Sequence, residues 1–399
     1  MAPFLIASRS LLSRSLARLW ARSIPTAICS RNFQSSAGLP RISDIPNDIA
    51  FAFDIDGVLL RSSAPCGNSP AAVRHLLQAQ IPCIFLTNGG GKSEAARIGD
   101  LRSKLECPEL EETSIIQSHT PFRDLSHLHD KNVLVVGGEG NNCRHVAQKY
   151  GFKNVYTPGD IWAHRRDVWP FSNPFKAYYD KFAQPEIVKE GLKIDAVFVY
   201  NDPRDFGLDL ASTIDFLLSS RGVHGTISTK NGDHSLPNKG YQQDGQPPLY
   251  FSNPDLWWAN SNPLPRLGQG AFREALEGVW AHITGGASNG VTLHKTIIGK
   301  PYQGTYEYAE KQLRANRDKI AKENATTMPP LRKVYMVGDN PESDIQGANN
   351  YKSPHGTQWM SVLVETGVYR GGEPAHKPKA IMKDVYAAVL WALKDAQQQ

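Results

Sequence analysis

Cysteine is scarce in this 399-residue chain and never paired in sequence: Cys29, Cys66, Cys83, Cys107 and Cys143 are scattered, with no CxxC among them. That excludes a thioredoxin-type redox motif, a zinc ribbon and a disulfide-stapled fold, and it suits reduced thiols in a matrix-type compartment. No apolar stretch reaches 18 residues, so no segment reads as a membrane span. Carboxylates are missing from the first 43 positions, whereas the same stretch holds Arg9, Arg14, Arg18, Arg22 and Arg31 and many serines. Leu12, Leu16 and Leu19 share one side of a helix, and Arg14, Arg18 and Arg22 the other. A basic amphipathic helix of this kind is the signature of a mitochondrial transit peptide over residues 1–40. A secretory signal needs a longer apolar core than residues 2–7 supply. Net positive charge is also lacking beyond that leader. Without its five arginines the formal charge of +5 falls to near zero, so the pI of 8.8 makes no case for a nucleic-acid partner.

The chain does have enough apolar residues, 40%, to fill about two packed domains. Short apolar runs alternate with segments of helical period: IAFAFDIDG (49–57), IPCIFLTNGGG (81–91), VLVVGGEG (133–140), DAVFVYND (195–202), PLYFSN (248–253), TIIGKP (296–301), VYMVGDN (334–340) and MSVLVETG (360–367). This alternation predicts an α/β fold with a doubly wound parallel sheet. Each run ends in polar or glycine residues, and ligands bind beyond the carboxyl ends of such strands. Residues 161–186 and 226–248 read as surface insertions. Trp257 and Trp258 are expected to pack inside a domain.

The polar tails carry a coherent chemistry. Asp54 and Asp56 stand at i and i+2 of a strand end and so begin aimed at one site. One carboxylate can attack phosphorus while the other handles the proton. Gly57 lets the chain turn sharply after them. Thr87, Asn88 and Gly89, in LTNGGG, offer a hydroxyl and backbone N–H groups to phosphate oxygens. Lys300 sits just before Pro301, which is expected to open a helix, and a cation there favours a dianion. Asp339 ends the VYMVGD strand and Asp344 follows five residues later; with Asp54 they make an oxygen cage suited to Mg²⁺.

Taken in order, DIDG, LTNGGG, GKP and GDNPESD resemble the four motifs of the haloacid dehalogenase superfamily. The resemblance runs from about residue 49 to 372 and implies a role for each position. Asp54 is the nucleophile, Asp56 the general acid/base and a metal ligand through its backbone carbonyl, and Thr87 the phosphate-binding threonine. Lys300 is the charge-balancing lysine, and Asp339 and Asp344 form the acidic metal motif. Spacing refines the comparison: 30 residues separate Asp56 from Thr87, too few for a cap, whereas 212 lie between Thr87 and Lys300. A cap domain is therefore expected after the second motif, as residues 115–262, between core parts 45–114 and 263–399. Its β/α alternation resembles the large α/β cap of subfamily IIA, the NagD-like phosphatases. YNDPRDFG, YFSNPDLWWAN, PRLGQGAFREAL and GDNPESDIQGANN are most similar to the mitochondrial branch named after cat eye syndrome critical region protein 5. The resemblance implies a Mg²⁺-dependent phosphatase acting on a small phosphorylated metabolite, with cap surfaces of the kind that support homodimers. Arg204, in the cap loop NDPRDFG, is expected to touch substrate beyond its phosphate.

Other readings compete. GGGKS (89–93) imitates a Walker A loop, but Leu86 stands where the first glycine belongs, which leaves a P-loop-like ATPase as the alternative enzyme. VVGGEGNNC has Cys143 where a dinucleotide fingerprint needs a small residue. The start of a CDP-alcohol phosphotransferase motif resembles Asp56, Gly57 and Arg61, yet Leu60 and Pro70 break it. HxH at His127 and His129 reads as a solvated turn. A non-catalytic scaffold of the same fold is the alternative from another class, weakened by carboxylates that repel and have little structural use.

Overall fold

Ile49–Phe53, IAFAF, is apolar at every position, a pattern stable as a strand only when both its faces are covered. In the computed structural model, which describes residues 40–258, 264 and 266–398, this segment is β1 and is wholly buried; the expected transit peptide lies outside the described residues. The chain continues through the paired β2 (Leu60–Arg61) and β3 (Ala64–Pro65), α1 (Ser69–Gln78), β4 (Cys83–Leu86), α2 (Glu94–Leu105) and β5 (Ile115–Ile116). A second series follows: β6 (Asn132–Val136), α3 (Asn142–Lys149), β7 (Asn154–Tyr156), α4 (Pro158–His164), α5 (Lys176–Phe182), β8 (Ala196–Val199), α6 (Phe206–Leu218) and β9 (Leu249–Phe251). The paired β10 (Trp257–Trp258) and β11 (Arg266–Leu267), α7 (Gln269–Thr284) and β12 (Thr296–Ile297) complete it. The chain then returns as α8 (Gln303–Glu323), β13 (Lys333–Gly338), α9 (Gln346–Asn350), β14 (Gln358–Val364), β15 (Ala380–Met382) and α10 (Val385–Gln397).

Two parallel sheets result. The core sheet has the order β15-β14-β13-β1-β4-β5, with Phe53 flanked by Val337 and Phe85. Alternate residues of β1 face opposite layers. Phe51 and Phe53 meet α1, α2 and α10 through Val73, Leu101 and Val389, whereas Ala50 and Ala52 meet α8 through Tyr306 and Leu313. Helices therefore cover both sides, as a doubly wound sheet requires. The cap sheet has the order β12-β9-β8-β6-β7, again all parallel.

The domain boundaries differ from those the sequence led us to expect. β5 pairs with β4 in the core sheet, so the cap begins after residue 116 rather than at 115. At the other end the cap does not stop at 262. β12 pairs with β9, and Phe272, Leu276 and Trp280 of α7 pack with Val136, Val199 and Phe251 of the cap strands. The reason is coverage: one face of the cap sheet is apolar and the stripe on α7 closes it, but helical periodicity alone does not say which sheet a helix will cover. Residues 161–186 lie mostly at the surface, but Trp162 and Tyr179 pack inward against Leu208. Trp257 and Trp258 are instead 53% and 47% exposed on the β10–β11 pair. Truncating Trp280 to alanine should cost about 3–5 kcal/mol in chemical denaturation, as expected for emptying a core aromatic site. A loss below about 1 kcal/mol would contradict this packing of α7.

Candidate active site

Four chain segments meet at the carboxyl end of the core sheet. Asp54 follows β1, and its N–H donates to the Val337 carbonyl at 2.9 Å, so the strand pairing itself fixes its position. Asp339 follows the neighbouring β13, and Asp344 lies in the helical turn after it. One oxygen from each of the three acids comes within 4.8 Å of the others, and all three residues are buried. Lys300 is buried too; its Nζ donates to Asp54 Oδ1 at 2.6 Å and lies 2.7 Å from Asp344 Oδ1. Asp344 Oδ2 accepts the N–H groups of Asp339 and Asn340 at 3.1 and 3.0 Å, and Asp339 Oδ2 accepts the Val368 N–H at 2.6 Å. Backbone donors thus aim both carboxylates. Glycines make room for them. A Cβ on Gly57, at φ +94°, would fall 2.4 Å from Asp339 Oδ2, and one on Gly338 only 2.1 Å from the Asp344 Cβ.

The electrostatics are unbalanced. Burial pushes Asp54 up, against the pull of Lys300. Burial, then Asp54 and Asp344, push Asp339 up to about 8, and burial pushes Asp344 up to about 6 despite Lys300. Burial alone would lower the Lys300 ammonium, but Asp344 and Asp54 outweigh it and hold the lysine well above its usual range. With all three acids ionised, one ammonium leaves two negative charges, which a divalent cation would balance. Asp344 Oδ1 fits that role: it is a buried oxygen with no aligned hydrogen-bond donor, its contact with Lys300 being one of charge. The all-oxygen donor set suits Mg²⁺.

The other residues singled out in the sequence fall into place unevenly. The Asp56 carboxylate stands outside the three-acid cluster, 63% exposed and 3.2 Å from Arg97 of α2. Thr87 is buried, and its hydroxyl accepts the Gly89 N–H at 2.9 Å while keeping its own proton to donate. That N–H of Gly89 is therefore already engaged. Asn88 is not a free phosphate ligand: its Nδ2 donates to the Lys300 carbonyl at 2.9 Å and to Asp255 Oδ1 at 3.0 Å, and its Oδ1 accepts the Lys300 N–H at 2.7 Å. Arg204 donates to the Asp202 carbonyl at 2.6 Å and lines a small crevice of the cap with Gly138, Tyr178 and Asp209, apart from the three acids. Pro301 does not open the helix after GKP; α8 begins at Gln303, and the Lys300–Pro301 bond is cis. The Walker-like GGGKS is no phosphate cradle, because Ser93 caps α2 by accepting the Ala96 N–H and Lys92 faces Asp100 at 3.5 Å.

Sequence reasoning missed Asp255 and Asn253, which the cap brings to this site. Burial pushes the Asp255 carboxyl up to about 6, against its hydrogen bond from Asn88 and the charge of Lys300. The signal was available: PLYFSNPD is a strand with a polar tail, like the core motifs.

Residues 51–153 match the family described as Haloacid dehalogenase-like hydrolase, and residues 297–388 one described as HAD-hydrolase-like. A mitochondrial hydrolase of Saccharomyces cerevisiae is 38% identical over 87% of this chain and 96% of its own length. The chain belongs to the haloacid dehalogenase-like hydrolases. A Schizosaccharomyces pombe protein named as a fusion of CMP-forming cardiolipin synthase and mitochondrial hydrolase is 42% identical over 87% of the chain, which spans only 53% of that protein. A p-nitrophenyl phosphatase of Archaeoglobus fulgidus shares the fold, with a TM-score of 0.53 over 86% of this chain and 98% of the other, at 17% identity. The expected family and the parallel α/β architecture with its inserted cap are thereby met in this hydrolase.

The raised carboxyls give a signed pH dependence. A carboxyl with a folded pKa near 8 and an ordinary value of 3.8 holds a proton that the unfolded chain releases, so its contribution to stability is lost as pH rises toward 8. Asp54 and Asp344 act with the same sign. In EDTA the hydrolase should melt at a lower temperature at pH 8 than at pH 6, and Mg²⁺ should restore more at pH 8. Asp339→Asn should flatten the dependence in EDTA. Differential scanning calorimetry reads both, and a melting temperature that rises from pH 6 to 8 in EDTA contradicts the site's electrostatics.

Proposed function

We propose that this hydrolase is a Mg²⁺-dependent phosphatase that cleaves a small phosphomonoester through an aspartyl phosphate on Asp54. The observation that carries the proposal is the buried group of Asp54, Asp339 and Asp344 with Lys300 held between two of them. Asp54, Asp339 and Asp344, with the backbone carbonyl of Asp56, would hold the cation. When bound it would offset the charge on the phosphate oxygens and lower the repulsion between them and the nucleophile. Asp54 Oδ attacks phosphorus; the P–O bond to the alcohol breaks as the P–O bond to Asp54 forms. Lys300 fixes the attacking carboxylate and shares its charge. Thr87 donates its hydroxyl to a phosphate oxygen. Asp56 gives its proton to the departing alkoxide and then takes one from the water that hydrolyses the acyl phosphate, returning Asp54 and releasing phosphate. For this the Asp56 carboxylate leaves Arg97 and turns inward, a rotation its exposure permits.

The cap excludes water during transfer and selects by leaving-group shape. We place the protein in the mitochondrial matrix, in keeping with the arginine-rich, acid-free composition of residues 1–40 and with relatives named as mitochondrial hydrolases, and we expect a homodimer formed through the cap. The relative named for its fusion to a CMP-forming cardiolipin synthase directs the first choice of substrate toward phosphomonoesters of phospholipid synthesis, ahead of phosphosugars. Purified protein should turn over p-nitrophenyl phosphate with Mg²⁺ and lose turnover in EDTA. Asp54→Asn should lower kcat by at least about 10³-fold, and Asp56→Asn by about 10²–10⁴-fold. Absence of turnover in the wild type, or an Asp54→Asn variant as active as the wild type, contradicts the proposal and favours a scaffold.

A further inference from the structure

The catalytic lysine is joined to the cap by a short chain of hydrogen bonds. Lys300 grips Asp54 and Asp344 with its side chain, while its own backbone is gripped on both sides by one amide, that of Asn88: the Lys300 N–H donates to Asn88 Oδ1 at 2.7 Å and the Lys300 carbonyl accepts from Nδ2 at 2.9 Å. The second N–H of that Nδ2 donates to Asp255 Oδ1 at 3.0 Å. Both donors and the acceptor of the Asn88 side chain are thereby used, and the residue is buried. Asp255 belongs to the cap. Its N–H donates to Asn253 Oδ1 at 2.8 Å, and Asn253 Nδ2 donates to the Asn88 carbonyl at 2.9 Å, so segment 252–255 meets Asn88 at two points. Behind it the Asn253 N–H donates to Gln269 Oε1 at 2.8 Å. Gln269 Nε2 donates to Ser252 Oγ at 3.0 Å, and that hydroxyl donates to the Tyr200 carbonyl at 2.9 Å. Segment 252–255 also lies hard against the GKP loop: a Cβ on Gly299 would fall 2.7 Å from both Pro254 Cδ and the Ser252 carbonyl oxygen.

We infer that Asp255 is a positioning residue of the cap: through Asn88 it sets the backbone of Lys300, and so the ammonium that aligns the nucleophile Asp54. The inference rests on Lys300 and Asp54 being the machinery of the phosphatase proposed above. A carboxylate is the fitting partner for the amide N–H, because a hydrogen bond to a charged, part-buried acceptor is stronger than one to water and directional. With that acceptor gone, Asn88 can turn, and neither of its contacts to Lys300 is held in register. The cap then does more than cover the site, since its docking on the core is coupled to the alignment of the attacking carboxylate.

The test uses the full chain with p-nitrophenyl phosphate and Mg²⁺, comparing Asp255→Ala, Asp255→Asn, Asn88→Ala and the double alanine variant, with melting temperatures and crystal structures alongside. Asp255→Ala should lower kcat about 10–100-fold with KM within about twofold. Asp255→Asn, whose amide carbonyl accepts the same N–H, should recover to within about threefold of wild type. The double variant should be no slower than the slower single, as for residues acting through one contact. The crystal structure of Asp255→Ala should show Lys300 Nζ moved beyond about 3.5 Å from Asp54 Oδ1. Three results overturn the inference: a folded Asp255→Ala with wild-type kcat, an Asp255→Asn as slow as the alanine variant, or a crystal structure in which Lys300 keeps both carboxylates. If the wild type itself turns over no phosphomonoester, the phosphatase proposal fails, while the position of Lys300 in the variant crystal still decides this inference.

Discussion

A lysine ammonium buried between two carboxylates organises this protein. Lys300 is only 2% exposed, and neither it nor its partners would stay charged there alone. Held together at 2.6 and 2.7 Å, Lys300, Asp54 and Asp344 keep charge in a place where burial opposes it, and Asp339 adds a third acid that the lysine does not neutralise. That surplus is what the proposed chemistry would use. Uncompensated negative charge is costly in a fold that needs only stability, and in the reaction proposed above a divalent cation and a phosphate dianion would share that field.

The same lysine ties the two sheets together. It follows β12, a strand of the cap sheet, and only three residues later the chain enters α8, which packs on the core sheet through Tyr306 and Leu313. Asn88, at the end of a core strand, and Asp255, at the end of a cap strand, meet beside it. Core and cap are therefore not an engine and a removable lid; the residue that pairs with Asp54 is delivered by one and held by both. Parallel sheets make this economical, because each lets its loops converge at one edge, and the two edges face each other across Asn88.

The core chemistry was legible in the sequence because it is local: an acid at the end of an apolar run is conspicuous, and strand pairing then fixes where it points, as for Asp54 beside Val337. Eight strand segments stood out as apolar runs ending in polar or glycine residues, whereas β5, β7 and β15 were not singled out. Most of what escaped was non-local. Asn88 looked like a phosphate ligand, but its partners lie 167 and 212 residues away in sequence, and no spacing rule reaches them. Gly89 offered an N–H that its neighbour Thr87 had already taken. The stripe on α7 was clear, yet the choice of the cap sheet as its partner depends on which face remained uncovered. Trp257 and Trp258 are exposed on the β10–β11 pair, which among the described residues joins neither sheet.

The central claim is that Asp54, Asp339 and Asp344 form one dication site. Anomalous scattering from a crystal soaked in Mn²⁺, a close stand-in for Mg²⁺ with a measurable signal, tests it most directly. The account predicts a peak about 2 Å from carboxylate oxygens of Asp54 and Asp339, absent from an Asp339→Asn crystal soaked in the same way. A peak elsewhere with none at these acids, or an unchanged peak in the variant, would contradict it.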